Sequence, residues 1–137
     1  METFIRHCKA HQLKITPQRV AVYKVLQAST DHPSADRVHR LIKEEFPSIS
    51  LDTVNRTLLT FAKVGLIDIV EGQGAPRRFE SNLEDHHHFY CLGCSRIFDI
   101  FDQGLSRIPL PESVEKEFTV TGKRLCIKGY CKECGPE

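Results

Sequence analysis

The sequence predicts an α+β chain in two parts, a helical first half and a second half of short strands. Three observations carry this. Up to residue 64 the apolar residues recur at helical spacing behind recognisable caps. From residue 66 onward they fall in short runs between Gly and Pro. Two Cys-x-x-Cys pairs, Cys91/Cys94 and Cys131/Cys134, then bracket the second half, with 36 residues between the inner cysteines. At 137 residues and 40% hydrophobic, the chain can bury one moderate core or two small ones. A half this small usually needs a staple.

Residues 3–14 read as one amphipathic helix that brings His7, Cys8 and His11 close together. It supplies no matching carboxylate, so these three read as helix surface or a contact with the rest of the domain. Thr16 suits an N-cap and Pro17 the first helical position, with Ile15 and Val20 placed for a hydrophobic staple. That helix runs to about Ala28, with Val22, Val25 and Leu26 facing a core. Ser34 caps a third helix whose apolar residues are Val38, Leu41, Ile42 and Phe46, ended by Pro47. Ser50 caps a fourth, Leu51 to Val64, stopped by Gly65. Its buried stripe is Leu51, Val54, Leu58 and Phe61. Arg56 points away from that stripe, among Asp52, Thr53, Thr60 and Lys63.

Two strand-like runs follow, Leu66 to Glu71 and Arg77 to Glu80, joined by a Gly-rich hairpin link. Short helices and then a hairpin describe a winged helix-turn-helix. The fourth helix would enter the major groove, where Asn55 and Arg56 can read adenine and guanine edges. Lys14, Arg19, Arg77 and Arg78 would meet phosphates or the minor groove. Charge agrees: residues 1–78 hold 12 Lys+Arg against 8 Asp+Glu, whereas residues 79–137 hold 7 against 10. A polyanion would meet the first half.

From Phe79 the character changes. Phe89 to Cys91, Arg96 to Phe101 and Leu125 to Tyr130 are short β-rich runs, and Leu105 to Phe118 holds one helix interrupted by Pro109 and Pro111. Cys91, Cys94, Cys131 and Cys134 suit a tetrahedral structural zinc site. The alternative, a redox dithiol, fits poorly with paired knuckles at both ends of a domain. Cys126 has no partner by spacing and reads as a strand residue. His86 and His88 are two apart, so an extended backbone projects both to one face and His87 to the other. Glu80 and Asp99 can add oxygen ligands and His32 can reach in from the first half. Such a nitrogen and carboxylate set suits iron(II), manganese(II) or zinc. No apolar run approaches a membrane span and no signal peptide opens the chain, so a cytoplasmic protein with no membrane partner is expected.

These residues, in this order, resemble the ferric uptake regulator family, and within it the peroxide-sensing branch. The resemblance runs from Lys14-Ile15-Thr16-Pro17-Gln18-Arg19 through His32-Pro33-Ser34-Ala35, Asp52-Thr53-Val54 and Gly65-Leu66. It continues in Arg78-Phe79-Glu80, in His86-x-His88-x-x-Cys91-x-x-Cys94 and in Gly129-Tyr130-Cys131-x-x-Cys134. It implies a homodimer with a winged-helix DNA-binding domain at 1–78, a hinge at 79–87 and a zinc-binding dimerisation domain at 88–137. Cys91, Cys94, Cys131 and Cys134 match the family's structural zinc ligands. His32, Glu80, His86, His88 and Asp99 match its regulatory site for Fe2+ or Mn2+. The candidate contacts to double-stranded operator DNA are Lys14, Arg19, Ser50, Thr53, Asn55 and Arg56.

In the peroxide branch, ferrous iron and hydrogen peroxide together oxidise a ligand histidine, here His32 or His86, and repression ends. The resemblance thus implies a sensor with no organic substrate, and not an enzyme. Three departures stand out. Glu80 replaces the Asp usual in the peroxide branch, whereas Asp99 agrees with it. Asn55 stands where the family usually has Tyr. The positions matching an extra metal site of many iron sensors are Asp85, His87, Ser106 and Lys123, and Lys123 is no ordinary ligand, so two metals per protomer are expected. The competing readings are an iron- or manganese-responsive repressor whose metal simply dissociates and, from another class, a non-haem iron enzyme.

Overall fold

A computed structural model describes residues 1–70 and 77–135. The hairpin link predicted at 72–76 lies outside the described residues. The chain divides into two compact units, Met1–Leu83 and Glu84–Glu137.

The first unit opens with four helices: α1 (Glu2–Ala10), α2 (Pro17–Ala28), α3 (Ala35–Ile42) and α4 (Leu51–Lys63). Three of the predicted caps form. Thr16 Oγ1 accepts from the Arg19 N–H at 3.2 Å, Ser34 Oγ from Arg37 at 3.3 Å and Ser50 Oγ from Thr53 at 3.0 Å. The end of α4 is a Schellman turn: the Gly65 N–H donates to the Ala62 carbonyl at 3.1 Å and the Leu66 N–H to that of Phe61 at 2.9 Å. Gly65 sits at φ +79°, where a side chain would be strained. The His7 Nε2 lies 3.0 Å from the Val64 carbonyl, so α1 helps to close the same helix end.

One hydrophobic core fills this unit. Val22, Val38, Val54, Leu58, Phe61 and Phe79 are fully buried in it, and Phe4 seals it by stacking on Tyr23 at 4.8 Å and meeting Phe61 edge-on at 5.7 Å. Two stripe residues depart from expectation. Leu41 is 48% exposed and Leu51 43%, because α3 ends at Ile42 and Leu51 occupies the first turn of α4, outside the packed face. The predicted 3–14 helix also stops at Ala10, where the chain turns through Gln12 at φ 57°. Strands β1 (Asp68–Val70) and β2 (Arg78–Glu80) pair antiparallel, in register Asp68 with Glu80. They are shorter than the predicted runs. The helix order and hairpin make this unit a winged helix-turn-helix.

In the second unit a three-stranded sheet is ordered β4-β3-β5, with β3 at His87–Cys91, β4 at Ile97–Ile100 and β5 at Cys126–Gly129. β3 runs antiparallel to β4 and parallel to β5. The single interrupted helix expected over 105–118 is instead two short ones, α5 (Gln103–Ser106) and α6 (Glu112–Glu117). Pro109 and Pro111 between them supply no N–H for a continuous ladder. Among the described residues this unit buries few apolar side chains, chiefly Tyr90, Cys91 and Ile97.

Candidate metal centres and nucleic-acid face

The cysteine centre is built by two tight turns. Cys91 ends β3, and the turn after it closes through the Ser95 N–H on the Cys91 carbonyl at 2.9 Å. The C-terminal turn closes through the Cys134 N–H on the Cys131 carbonyl at 3.1 Å. The four sulfurs of Cys91, Cys94, Cys131 and Cys134 then lie within 4.8 Å of one another, with Cys94 and Cys131 3.9 Å apart. Four sulfurs on a tetrahedral zinc, each bound at about 2.3 Å, would stand roughly 3.8 Å apart. The donor set and the spacing both fit that ion.

The local electrostatics point the same way. Backbone N–H groups of Cys94 and Cys131, 3.5 and 3.3 Å from the Cys91 sulfur, hold its thiol down to about 6. Cys134, facing the sulfurs of Cys131 and Cys94, is pushed up to about 12. Four crowded thiols cannot all ionise by themselves, and a dication removes that conflict. Gly93 is required here, since a Cβ on it would lie 2.8 Å from the Cys134 Cβ.

The same strand supplies the histidines. β3 and the residue just before it alternate as expected of extended backbone, sending His86 and His88 to one face and His87 to the other. The His86 Nδ1 lies 2.5 Å from the Glu84 carbonyl, an acceptor, so Nδ1 carries the proton and Nε2 keeps its lone pair. That Nε2 faces the His88 Nε2 at 3.1 Å. Asp99, directly across the ladder from His88, brings Oδ1 to 3.5 Å from both Nε2 atoms. Two facing imidazole nitrogens beside a carboxylate, largely buried, need a proton or a cation between them. Two nitrogens bound to one divalent ion at about 2.1 Å stand roughly 3 to 3.4 Å apart, so the group fits a metal.

His87 is spent on structure. Its Nδ1 accepts the Leu125 N–H at 2.9 Å, which puts the ring proton on Nε2, and Nε2 donates to the Ser106 Oγ at 3.0 Å. Lys123 donates to the Ile108 carbonyl. Sequence reasoning left His87 without a role, and missed both the Glu84 carbonyl and Phe101, whose ring stacks on His86. No motif marks a backbone acceptor or a ring cover.

In the first unit, His32 and Glu80 are both buried, with His32 Nε2 3.5 Å from a Glu80 oxygen. The His32 backbone is left-handed, at φ 53°, and directly precedes Pro33. That conformation costs about 1–3 kcal/mol and survives only where its surroundings fix it. β2 provides the clamp. Arg78 Nε donates to the His32 carbonyl, Arg78 Nη2 to the Asp31 carbonyl at 2.9 Å, and the Phe79 N–H to the Pro33 carbonyl at 3.0 Å.

The polar face of the first unit carries a groove of about 560 Å³ lined by Lys14, Arg19, Thr53, Arg56, Thr57 and Lys63, among others. It gathers four of the predicted DNA contacts. Arg56 is exposed and oriented by Asp52 one turn earlier, at 3.1 Å. Arg19 is anchored through the Lys14 carbonyl at 2.7 Å. Asn55 lies instead in a neighbouring recess of about 490 Å³ with Asp52, Arg77 and Phe79. The Ser50 hydroxyl caps α4 and also donates to the Thr53 hydroxyl at 2.9 Å. Among the described residues, no helix is long and apolar enough to cross a membrane.

Comparison with known proteins agrees with this architecture. Residues 10–128 match the model of the ferric uptake regulator family. The peroxide-responsive repressor PerR of Staphylococcus epidermidis is 31% identical over 137 residues, covering 100% of this chain and 91% of that protein. Its Staphylococcus aureus counterpart is 32% identical over 98% of this chain and 90% of its own length. The Campylobacter jejuni peroxide stress regulator superposes with a TM-score of 0.72 at 32% identity, covering 95% of this chain and 98% of that one. The Helicobacter pylori ferric uptake regulator Fur, whose structure reveals three functional metal-binding sites, superposes at 0.78 with 28% identity, covering 97% and 89%. A winged helix-turn-helix, a four-cysteine cluster and a family match over most of the length lead to one assignment: the chain belongs to the ferric uptake regulator family, and it is a metal-responsive transcriptional repressor, not an enzyme.

Proposed function

We propose that this chain is a homodimeric repressor of double-stranded operator DNA that senses hydrogen peroxide through ferrous-iron-dependent oxidation of a ligand histidine, His32 or His86. The observation that carries the reading is the pair of Nε2 atoms of His86 and His88 facing each other beside Asp99. In this reading Cys91, Cys94, Cys131 and Cys134 hold structural Zn2+. His32, Glu80, His86, His88 and Asp99 are the proposed ligands of the regulatory Fe2+ or Mn2+. Two metals per protomer are proposed because Lys123 is no ordinary ligand; the engagement of both His87 nitrogens by Leu125 and Ser106 supports this.

Ferrous iron held by these ligands would supply the redox chemistry that opens the peroxide O–O bond, lending one electron and recovering one, so that it is not consumed in the net change. The protein's own residues decide what is hit. The Glu84 carbonyl fixes the His86 tautomer, and the Arg78 clamp fixes the His32 backbone. Net, one peroxide oxygen enters an imidazole carbon, one water leaves and the ring loses two electrons. An oxidised ring would be a poor ligand, so the remaining residues would hold the metal weakly and the chain would give up its DNA. Lys14, Arg19, Ser50, Thr53, Asn55 and Arg56 form the operator face. The exposed apolar side chains of Phe118, Val120, Leu125 and Ile127 on and before β5 support pairing with a second copy.

A second reading keeps the scaffold and lets iron or manganese simply dissociate. Glu80, a longer carboxylate paired with His32, favours it. The experiment that separates them is anaerobic binding by the ferrous protein to a duplex selected from random sequence with the manganese form. Binding is measured before and after a small excess of hydrogen peroxide, with mass analysis of the His32 and His86 peptides. Lost binding with one added oxygen on either histidine is the expected result. Surviving binding with both rings intact overturns the peroxide reading.

A further inference from the structure

We propose that Phe101 is a positioning residue for His86, a cover on one face of its imidazole that limits access of water and oxidant to the ring. The proposal rests on reading His86 as a regulatory ligand.

The placement follows from the ladder. β3 and β4 pair His88 with Asp99 and His87 with Ile100. One more antiparallel step sets Phe101 across from His86. Asp99 and Phe101, two residues apart on one extended run, therefore address the same histidine. The carboxylate stands 3.5 Å from His86 Nε2, and the phenyl ring lies against the imidazole with centroids 5.4 Å apart and planes 30° apart. That geometry is a stack, not an edge contact.

The exposures differ in the way a cover requires. His86 is fully buried whereas Phe101 is 59% exposed, so the phenyl has one wet side and one side on the imidazole. In the ring plane, Nδ1 is held by the Glu84 carbonyl and Nε2 faces His88. The carbon between them, Cε1, is the atom that oxygen insertion needs, and attack on it comes from a ring face. Phe101 covers one of the two faces. A small side chain there would open that face and free the ring to tilt away from the bearing that aims Nε2 at its partners.

The test uses the full chain with its thiolate zinc retained and the second metal removed by mild chelation. Deuterium exchange at imidazole Cε1–H is followed by mass spectrometry, with His39 of the first unit as the internal reference. Phe101→Ala is expected to speed exchange at His86 several-fold and leave His39 unchanged, while Phe101→Tyr stays near the parent rate. Since Phe101 is mostly exposed, both variants are expected to fold, and His39 exchange checks the first unit in each. An unaltered His86 rate in Phe101→Ala overturns the proposal.

A second readout is the share of added oxygen on His86 relative to His32 after peroxide treatment of the ferrous protein. It rises in Phe101→Ala if the ring restricts oxidant, and a constant share overturns that restriction. Should neither histidine of the parent gain oxygen, the peroxide reading fails alone, and the cover is still judged by the exchange rates.

Discussion

Between His86, His87 and His88 a single residue step decides the chemistry. The outer two share a face with Asp99, and the middle one is locked by the Leu125 N–H and the Ser106 hydroxyl. If Asp99 completes a metal site, Asp99→Ala should weaken manganese binding by at least about 10-fold, the scale on which even supporting groups of a metal site act. It should leave the thiolate zinc in place, and metal analysis before and after dialysis checks both. Gly93 gives a second prediction at this scale. Gly93→Ala puts a Cβ 2.8 Å from the Cys134 Cβ, so the knuckle must shift and zinc should be lost to a chelator faster than from the parent. Cys8 makes the opposite case. It is buried in the helical core, and desolvation pushes its thiol up, so it should resist alkylation until the first unit unfolds. The sequence made the alternation of His86, His87 and His88 legible, because period two needs only an extended backbone. It could not make the Glu84 carbonyl legible, since a backbone acceptor leaves no mark on residue type, nor the Phe101 stack, which depends on the ladder register that no local pattern encodes.

At the scale of elements, the caps were the most readable feature. Thr16, Ser34 and Ser50 each accept the predicted backbone N–H, since a cap is a contact over three residues. Errors gathered where tertiary packing decides: Leu41 and Leu51 obey helical spacing but lie outside the packed face. The prolines of 105–118 split a helix that composition alone suggested was one. The Ser50 cap ties stability to the proposed DNA face, because its hydroxyl also orients Thr53 in the groove. Ser50→Ala should therefore lower the stability of the first unit by about 1 kcal/mol, within the usual range for a lost cap. It should weaken DNA binding as well. Ile42→Val, a comparable loss of about 1 kcal/mol in the core under α3 and away from the groove, separates the two effects. Thermal melts and DNA titrations of both variants check this.

Across the whole molecule, the two units are stabilised differently. The first holds one aromatic and aliphatic core, whereas the second buries little beyond Tyr90, Cys91 and Ile97 and gathers four sulfurs instead. Zinc binding is then folding energy for the second unit, on the scale of about 10 kcal/mol known for structural zinc in small zinc-finger peptides. Cys131→Ser should accordingly abolish the ordered sheet of the second unit while the helices of the first persist, as amide spectra would report. The proposed repressor makes a stricter demand, because metal and DNA would favour one domain arrangement. Whatever factor manganese adds to operator affinity, operator must add to manganese affinity, since the coupling free energy belongs to both. Asp99→Ala should shrink both factors together, whereas Arg56→Ala should weaken DNA binding with and without metal alike and leave the coupling factor intact. Paired titrations of metal in the presence and absence of DNA, and of DNA in the presence and absence of metal, measure the two factors independently. An Arg56→Ala variant that loses coupling would mean that Arg56 does more than touch DNA and that the groove itself takes part in the metal-driven change.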